Sequence, residues 1–375
     1  MVVLASRTGG GSPPCEPTVG QDDTMYEIPA PMLAKAVAEI PDPAKHPGGL
    51  SFEPKWDGFR AIIAYDGTGP DGVVIGSRGA KPLTRYFPEL VAAFAELLPG
   101  PCLLDGEIVV ATAPASGEPA RLSWEALSQR IHPAATRVQL LSRETPAQFV
   151  AFDLLARGDR DLQAETFATR RAELESLLAG IPHPVHVTRA TTDRALAQRW
   201  LALFEGAGLD GVVAKPLDQP YAPGKRTMLK IKHARTADVV ALGYRVHKSG
   251  AGVGSLLVGL YDGGELHQVG GVSAFSDARR LALIDELAPL VETDAEGQAV
   301  RGEGERSRFT AAGRDTGFVR LRPERVLEVR YDQLEGRRFR HTVQFERWRP
   351  DRDPASCTYE QLETVAAYDL ADVLE

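Results

Sequence analysis

The strongest constraint in this chain is a pattern that occurs four times before residue 233, in which an apolar run of strand length meets a short charged segment. The four are Lys55-Trp-Asp57-Gly58-Phe-Arg60, Asp105-Gly106-Glu107, Asp210-Gly211-Val-Val-Ala-Lys215 and Lys230-Ile-Lys232. Apolar, β-branched runs bounded by turn residues predict strands. A lysine between a strand and a tight turn is held by backbone on both sides, which suits a nucleophile better than a solvated charge. Together the four segments offer one candidate amine nucleophile, carboxylates able to hold a hard cation, and cations suited to phosphate groups.

Taken in order, residues 1–24 are rich in Gly, Pro, Ser and Thr, lack periodicity, and read as a disordered lead. An irregular, proline-rich entry follows, up to residue 49. Strands are expected over 59–65 and 73–77, and a helix over 87–98 that ends at Pro99-Gly100. Residues 102–110 read as strand, acidic turn and strand, 123–130 as a short helix, and 149–155 as a buried strand. Helices are expected over 167–178 and 195–205. After about residue 234 the texture changes to strands over 237–245, 255–261 and 265–272, a helix over 276–290, and strands over 325–331 and 342–348. Five strands with one helix between the third and fourth is the layout of a Greek-key barrel of the OB type. The expected class is α+β, with domains over 25–233 and 234–355 and an acidic, helix-compatible tail over 356–375 that caps the end.

No apolar run approaches the roughly 20 residues that span a bilayer. The N-terminal apolar stretch is too short for a signal-peptide core, so a cytoplasmic protein is expected. The three cysteines are far apart, with no C-x-x-C pair, which argues against a disulfide framework or a zinc site. Net charge is −8, but residues 225–248 set seven Lys and Arg against the single acid Asp238, and residues 320–352 hold ten Arg against six acids. Local fields of this kind bind phosphates even on an acidic protein.

Attack of an amine on a phosphoryl group needs a deprotonated lysine, in-line geometry and neutralisation of the spreading oxyanion charge. Lys230, Lys232 and Arg60 are cations that would disfavour the ammonium form of Lys55. Glu107 and Asp210 are of a type that suits Mg²⁺, which takes one or two carboxylates plus water and phosphate oxygens. Singly, each feature has a plain structural explanation. Phe152 fits a core aromatic, Lys215 a strand end, Asp105-Gly106 a type I′ turn, and Arg349 with Asp351 a surface pair. His132, His233 and His341 have no ligand spacing and read as satisfied or surface side chains.

In this order the motifs resemble those of the covalent nucleotidyltransferases, specifically the compact bacterial ATP-dependent DNA ligases of end joining. The resemblance runs from about residue 29 to 359. It implies an adenylation domain of antiparallel sheets with flanking helices, then an OB-fold domain. Lys55 would take AMP, within a motif that includes Glu53 and Arg60. Arg78, in Ser77-Arg78-Gly79, resembles a ribose- and phosphate-contacting arginine, and Glu107 serves ribose or metal. Phe152 would stack on adenine, while Lys215, Lys230 and Lys232 belong to the fourth and fifth motifs. Arg347-Trp-Arg349-Pro-Asp351-Arg352 resembles the final motif, which orients the leaving pyrophosphate. Two positions depart from the family pattern. Asp210 stands where Glu is usual, its carboxylate drawn back by roughly 1.5 Å, and Arg352 stands where Lys is usual.

The resemblance implies ATP and Mg²⁺ (or Mn²⁺) as cofactors, nicked double-stranded DNA as substrate, and a monomer that works with nucleoid DNA. A separate DNA-end-binding or polymerase partner would serve end joining. An RNA ligase or mRNA-capping guanylyltransferase shares the lysine chemistry, but the Arg-x-Asp-Arg ending and the Thr84-Arg-Tyr-Phe-Pro run speak against capping. A non-catalytic OB-type nucleic-acid binder would form no adenylate, and the complete lysine and carboxylate set speaks against it.

Overall fold

The computed structural model describes residues 25–79, 81–113, 117, 119–303, 316–363 and 365–374; the N-terminal lead expected over 1–24 lies outside them. The centre of the first domain is a sheet in the order Val73–Ser77, Phe59–Tyr65, Cys102–Thr112, Ala147–Arg157, Arg160–Asp161. Side chains alternate across it, as period two requires. Ala61, Ile63 and Tyr65 pack with Phe87, with Leu90 and Phe94 of the helix Pro88–Leu97 that it precedes, and with Leu174 and Leu177 of the helix Phe167–Leu177. Ile62 and Ala64 face the other way, toward Met32, Tyr221 and Met228. That second face is covered by a four-stranded sheet in the order Leu33–Val37, Arg226–Ile231, Val212–Pro216, Leu50–Pro54. Two sheets packed in this way open into a cleft at their charged ends.

The second domain begins with the long strand Arg235–Val246, which pairs with Val253–Asp262, Gly317–Arg320 and Val326–Tyr331. Gln344–Trp348 pairs with Val326–Tyr331, and a bridge between Val343 and Val272 closes the barrel back onto Glu265–Val272. The helix Asp277–Leu287, capped by Ser276, seals it with Leu283 and Leu287. The α+β class is what the chain adopts; among the described strands, Leu33–Val37 runs parallel to Arg226–Ile231 and Val185–Val187 parallel to Ala147–Arg157, while the other strand ladders are antiparallel.

Several expectations need correction. Asp105-Gly106-Glu107 is not a turn; it lies within one continuous strand, Cys102–Thr112. Gly106 is there because a Cβ would stand 2.3 Å from Cζ of the buried Phe149, and the pairing register shifts between Asp105 and Gly106. The entry before residue 49 contains a strand, Leu33–Val37, and Ala135–Glu144 is a helix. The barrel has additional short strands at Arg301–Glu303 and Gly317–Arg320. The tail forms 3₁₀ turns and a four-residue helix, Ala371–Leu374. It leaves the barrel and returns to the first domain, where Leu370 and Val373 join the core around Trp200 and Phe204.

Candidate active site

Leu50–Pro54 delivers Lys55 to the mouth of the cleft, and backbone fixes it there. Lys55 N donates to Gly211 O at 2.9 Å, and Asp210 N donates to Lys55 O at 2.9 Å. Gly211 can make this approach because it takes φ +118° and because a Cβ there would lie 2.0 Å from Ile231 O. Pairing of Val212 with Ile231 and of Arg60 with Glu107 adds the other two, so main chain stitches all four charged segments together. Lys55 Nζ donates to Asp210 Oδ2 at 2.5 Å, and Lys232 Nζ reaches the same oxygen at 2.8 Å. The direct partner of Lys55 is thus a carboxylate that it shares with Lys232. The Lys230 ammonium is disfavoured, by burial first and then by Lys232 and Lys55.

Deeper in the cleft, Glu53 and Lys215 form a buried pair at 2.7 Å, and Lys215 Nζ also donates to Phe152 O at 2.8 Å. Burial pushes the Glu53 carboxyl up and the Lys215 ammonium down, each opposed by the other's charge. Glu53 Oε1 is buried without a hydrogen-bond donor. The Phe152 ring lies beneath Arg60, at 4.5 Å, with Lys215 Nζ 4.7 Å from its centre. Glu107 Oε1 accepts from Gly58 N at 3.2 Å. Burial raises its carboxyl to about 7, against the opposing charges of Arg60 and Lys55. Arg78 and Lys230 complete the lining.

The final-motif residues are elsewhere. Arg347 pairs with Glu328 at 2.6 Å, Arg349 with Asp238 at 3.0 Å and Asp351 at 2.8 Å, and Arg352 approaches Asp238 at 3.6 Å. None of the four lines the cleft. The barrel presents a different surface to the first domain, around residues 332–341. Asp332 pairs with Lys232 at 3.1 Å and with His341 at 3.0 Å, Gln333 Nε2 donates to Leu209 O at 3.4 Å, and Arg340 forks onto Asp57.

A family model described as ATP dependent DNA ligase domain matches residues 31–232, and one described as ATP dependent DNA ligase C terminal region matches residues 249–352. The chain belongs to the ATP-dependent DNA ligases. The ligase is 54% identical over 353 residues to DNA ligase C1 of Mycolicibacterium smegmatis, a match covering 92% of this chain and 97% of that one. It is 53% identical over 361 residues to DNA ligase C of Mycobacterium tuberculosis, covering 92% and 96%. A solved structure of a Lig E DNA ligase aligns with 86% of this chain and 100% of its own at TM-score 0.53 and 18% identity, a likeness of fold.

Magnesium chemistry makes different demands on the two carboxylates of the ligase. Glu107 fits, because it lines the cleft and carries no ion pair among the described residues. Asp210 does not fit in this arrangement, because its Oδ2 already holds two ammonium groups.

Four residues of the site escaped the motif reading. Asp105, fully buried, holds Arg60 through two 2.6 Å bonds, and Tyr221 donates to Asp105 at 2.6 Å. Asp332 and Arg340 dock the barrel. A buried acid next to a glycine was the available signal for Asp105; the other three lie in segments with no pattern of their own. Two of the seven cations over 225–248 are also accounted for by internal pairs, Lys232 as above and Arg235 with Glu205 at 2.6 Å.

Proposed function

We propose that the ligase seals 5′-phosphate/3′-hydroxyl nicks in duplex DNA through a covalent lysyl-AMP on Lys55. The observation that carries this reading is the backbone stitching of Lys55 to the Asp210-Gly211 turn at the mouth of a cleft lined by Glu53, Phe152 and Glu107. Lys55 Nζ attacks the α-phosphorus of ATP, a P–N bond forms, and the bond to the bridging oxygen of pyrophosphate breaks. Asp210 Oδ2, 2.5 Å from Nζ, is placed to accept the lysine's proton. The nicked 5′-phosphate then attacks the adenylate phosphorus and releases the lysine. Finally the 3′-hydroxyl attacks the activated 5′-phosphate and AMP departs.

Base choice follows from Glu53 Oε1, which lies 3.8 Å from Arg171 Nη1 but accepts no hydrogen bond. A buried carboxylate oxygen lacking a donor accepts from the exocyclic amine of adenine, whereas guanine would place a carbonyl there and leave two acceptors facing. Phe152 supplies the apolar face of the base site, and Arg78, Lys215 and Lys230 the positive charge. Magnesium on Glu107, when bound, neutralises phosphate charge.

Arg347, Arg349, Asp351 and Arg352 act on the departing pyrophosphate only after the barrel turns, with the hinge at 232–237. The surface at 332–341, which faces the first domain in this structure, serves the DNA-bound steps. We place the enzyme in the cytoplasm as a monomer acting on nucleoid DNA, with any break-bridging or polymerase activity supplied by another chain.

Incubation with ATP labelled at the α-phosphate, plus Mg²⁺, tests the reading. A covalent band is expected from the wild type and none from Lys55→Ala; a band that survives the substitution sinks the assignment. Labelling by GTP in place of ATP would transfer the reading to capping chemistry.

A further inference from the structure

The loop between Val212–Pro216 and Arg226–Ile231 carries Tyr221, a buried tyrosine that lies outside every motif used above. Its hydroxyl accepts from Met32 N at 3.0 Å and donates to Asp105 Oδ2 at 2.6 Å. The direction of both bonds is fixed. A backbone N–H can only donate, so the single phenolic proton goes to the carboxylate. Burial and the charge of Asp105 hold the phenol well above its ordinary range, so it remains a donor.

Asp105 takes two more bonds, from Arg60 Nε to Oδ1 and from Arg60 Nη2 to Oδ2, each 2.6 Å. A carboxylate gripped only by a guanidinium can rock together with it. A third bond, from a ring that cannot move, fixes the carboxylate and so the guanidinium. The ring is fixed. Tyr221 N donates to Gln163 O at 2.8 Å, and the buried Arg170 lies 5.6 Å from the ring centre while donating to Gln219 O at 3.2 Å. The loop is also tied to the cleft wall, through Ala222 N to Met32 Sδ at 3.3 Å and Gly224 N to Pro31 O at 3.3 Å. Arg60 spends Nε and Nη2 on Asp105, which leaves its Nη1 edge for the cleft that it lines beside Met32 and Phe152.

We propose that Tyr221 is a positioning residue for adenylyl transfer: its hydroxyl fixes the Asp105 carboxylate, which aims Arg60 at the nucleotide and ties that aim to the Met32 wall. The role rests on the reading of Arg60 as a nucleotide-binding residue.

Tyr221→Phe keeps the ring and removes only the hydroxyl. In self-adenylation, KM for ATP should rise about tenfold, the size expected for losing a buried hydrogen bond to a charged group, while kcat changes by less than about twofold. Sealing of a pre-adenylated nick should proceed at the wild-type rate. Arg60→Ala should raise KM on its own, and adding Tyr221→Phe to it should change KM by less than about twofold, because the two act as one unit. An unchanged KM in Tyr221→Phe, additive effects in the double variant, or an equal fall in sealing of the pre-adenylated nick would overturn the role. If Tyr221→Phe does not fold, Asp105→Asn takes its place and must show the same KM-selective effect, non-additive with Arg60→Ala. If Arg60→Ala leaves KM unchanged, the nucleotide role of Arg60 fails and this role falls with it; if Arg60→Ala raises KM and Tyr221→Phe does not, only the Tyr221 role fails.

Discussion

Acidification from pH 8 to pH 6 should strip Glu107 of its charge and with it most of the enzyme's hold on divalent metal. The carboxyl is half-buried beneath the turn that follows Lys55. Burial raises it to about 7, and the charges of Arg60 and Lys55 only partly offset that. With a midpoint near 7 the group is about nine-tenths ionised at pH 8 and about one-tenth ionised at pH 6. Only the carboxylate binds a hard cation, so the Mg²⁺ concentration for half-maximal self-adenylation should rise about tenfold across this range. The sign follows from the direction of the shift. A carboxyl whose folded pKa exceeds its unfolded value holds its proton more tightly when folded, so metal binding weakens on the acid side. By the same linkage, its ionisation lowers folding stability as pH rises from about 4.5 to 7. The assay is α-labelled adenylation over a Mg²⁺ titration at pH 6, 7 and 8, with Glu107→Gln in parallel. The glutamine variant should need more metal at every pH, and its remaining slope measures the titration of ATP itself. A wild-type midpoint that moves less than twofold, or the same slope in Glu107→Gln, would refute the reasoning.

Asp153→Asn should cost about 3–5 kcal/mol, because it strands the fully buried Arg170 guanidinium that Asp153 holds at 2.7 and 3.0 Å. In a domain of this size that is a fall of roughly 6–20 °C in melting temperature by calorimetry, and a loss under about 1 kcal/mol would contradict it. Arg349→Ala should slow self-adenylation at least about tenfold while sparing the sealing of a pre-adenylated nick, read in parallel gel assays; equal losses in both would argue against a turning barrel. Asp332→Asn should loosen barrel docking, seen as a larger radius of gyration in small-angle scattering at neutral pH. Burial alone would raise the Asp332 carboxyl, but hydrogen bonds and charge from His341 and Lys232 hold it well below its usual range. Its contribution to docking is therefore full above about pH 4 and is lost only in stronger acid.

Much of this molecule is readable from residue order, and the parts that are not share a cause. Strands over 59–65 and 265–272 and the helix over 167–177 lie where apolar runs, turn signals and helical spacing place them; the first is apolar throughout because both of its faces are buried. The Asp105-Gly106 pair misled because Asp-Gly is a turn signal when backbone needs a positive φ. Here the glycine answers a different need, room for the Phe149 ring arriving from another strand. Leu33–Val37 carries no alternation of buried and exposed side chains, and its pairing comes from a strand nearly 200 residues away. The motif residues around Lys55 converge because four short segments carry both the apolar run that sets the strand and the charge that faces the cleft. Asp332 and Arg340 were invisible for the opposite reason. Their docking contacts are made with Lys232 and Asp57 across a domain boundary, and no local period records that meeting.

Among the described residues the chain crosses between the two domains at residues 232–235 and again where the tail leaves the barrel after Glu363. Arg235 fastens the crossings to each other, reaching Glu363 at 2.5 Å and Glu205 at 2.6 Å. Tyr368 then stacks obliquely on Phe204 with ring centres 5.3 Å apart, and Leu370 N bonds Ala120 O at 3.0 Å. A body joined at one point can tumble about any axis; joined at two neighbouring points, it opens and shuts like a door. The second crossing, remote in sequence from Lys55, therefore adds a second point at which the barrel is held to the first domain. Leu370 and Val373 also share a core with Trp56 and with Leu50 and Phe52 of the strand that delivers Lys55, so the same segment braces the floor of the cleft.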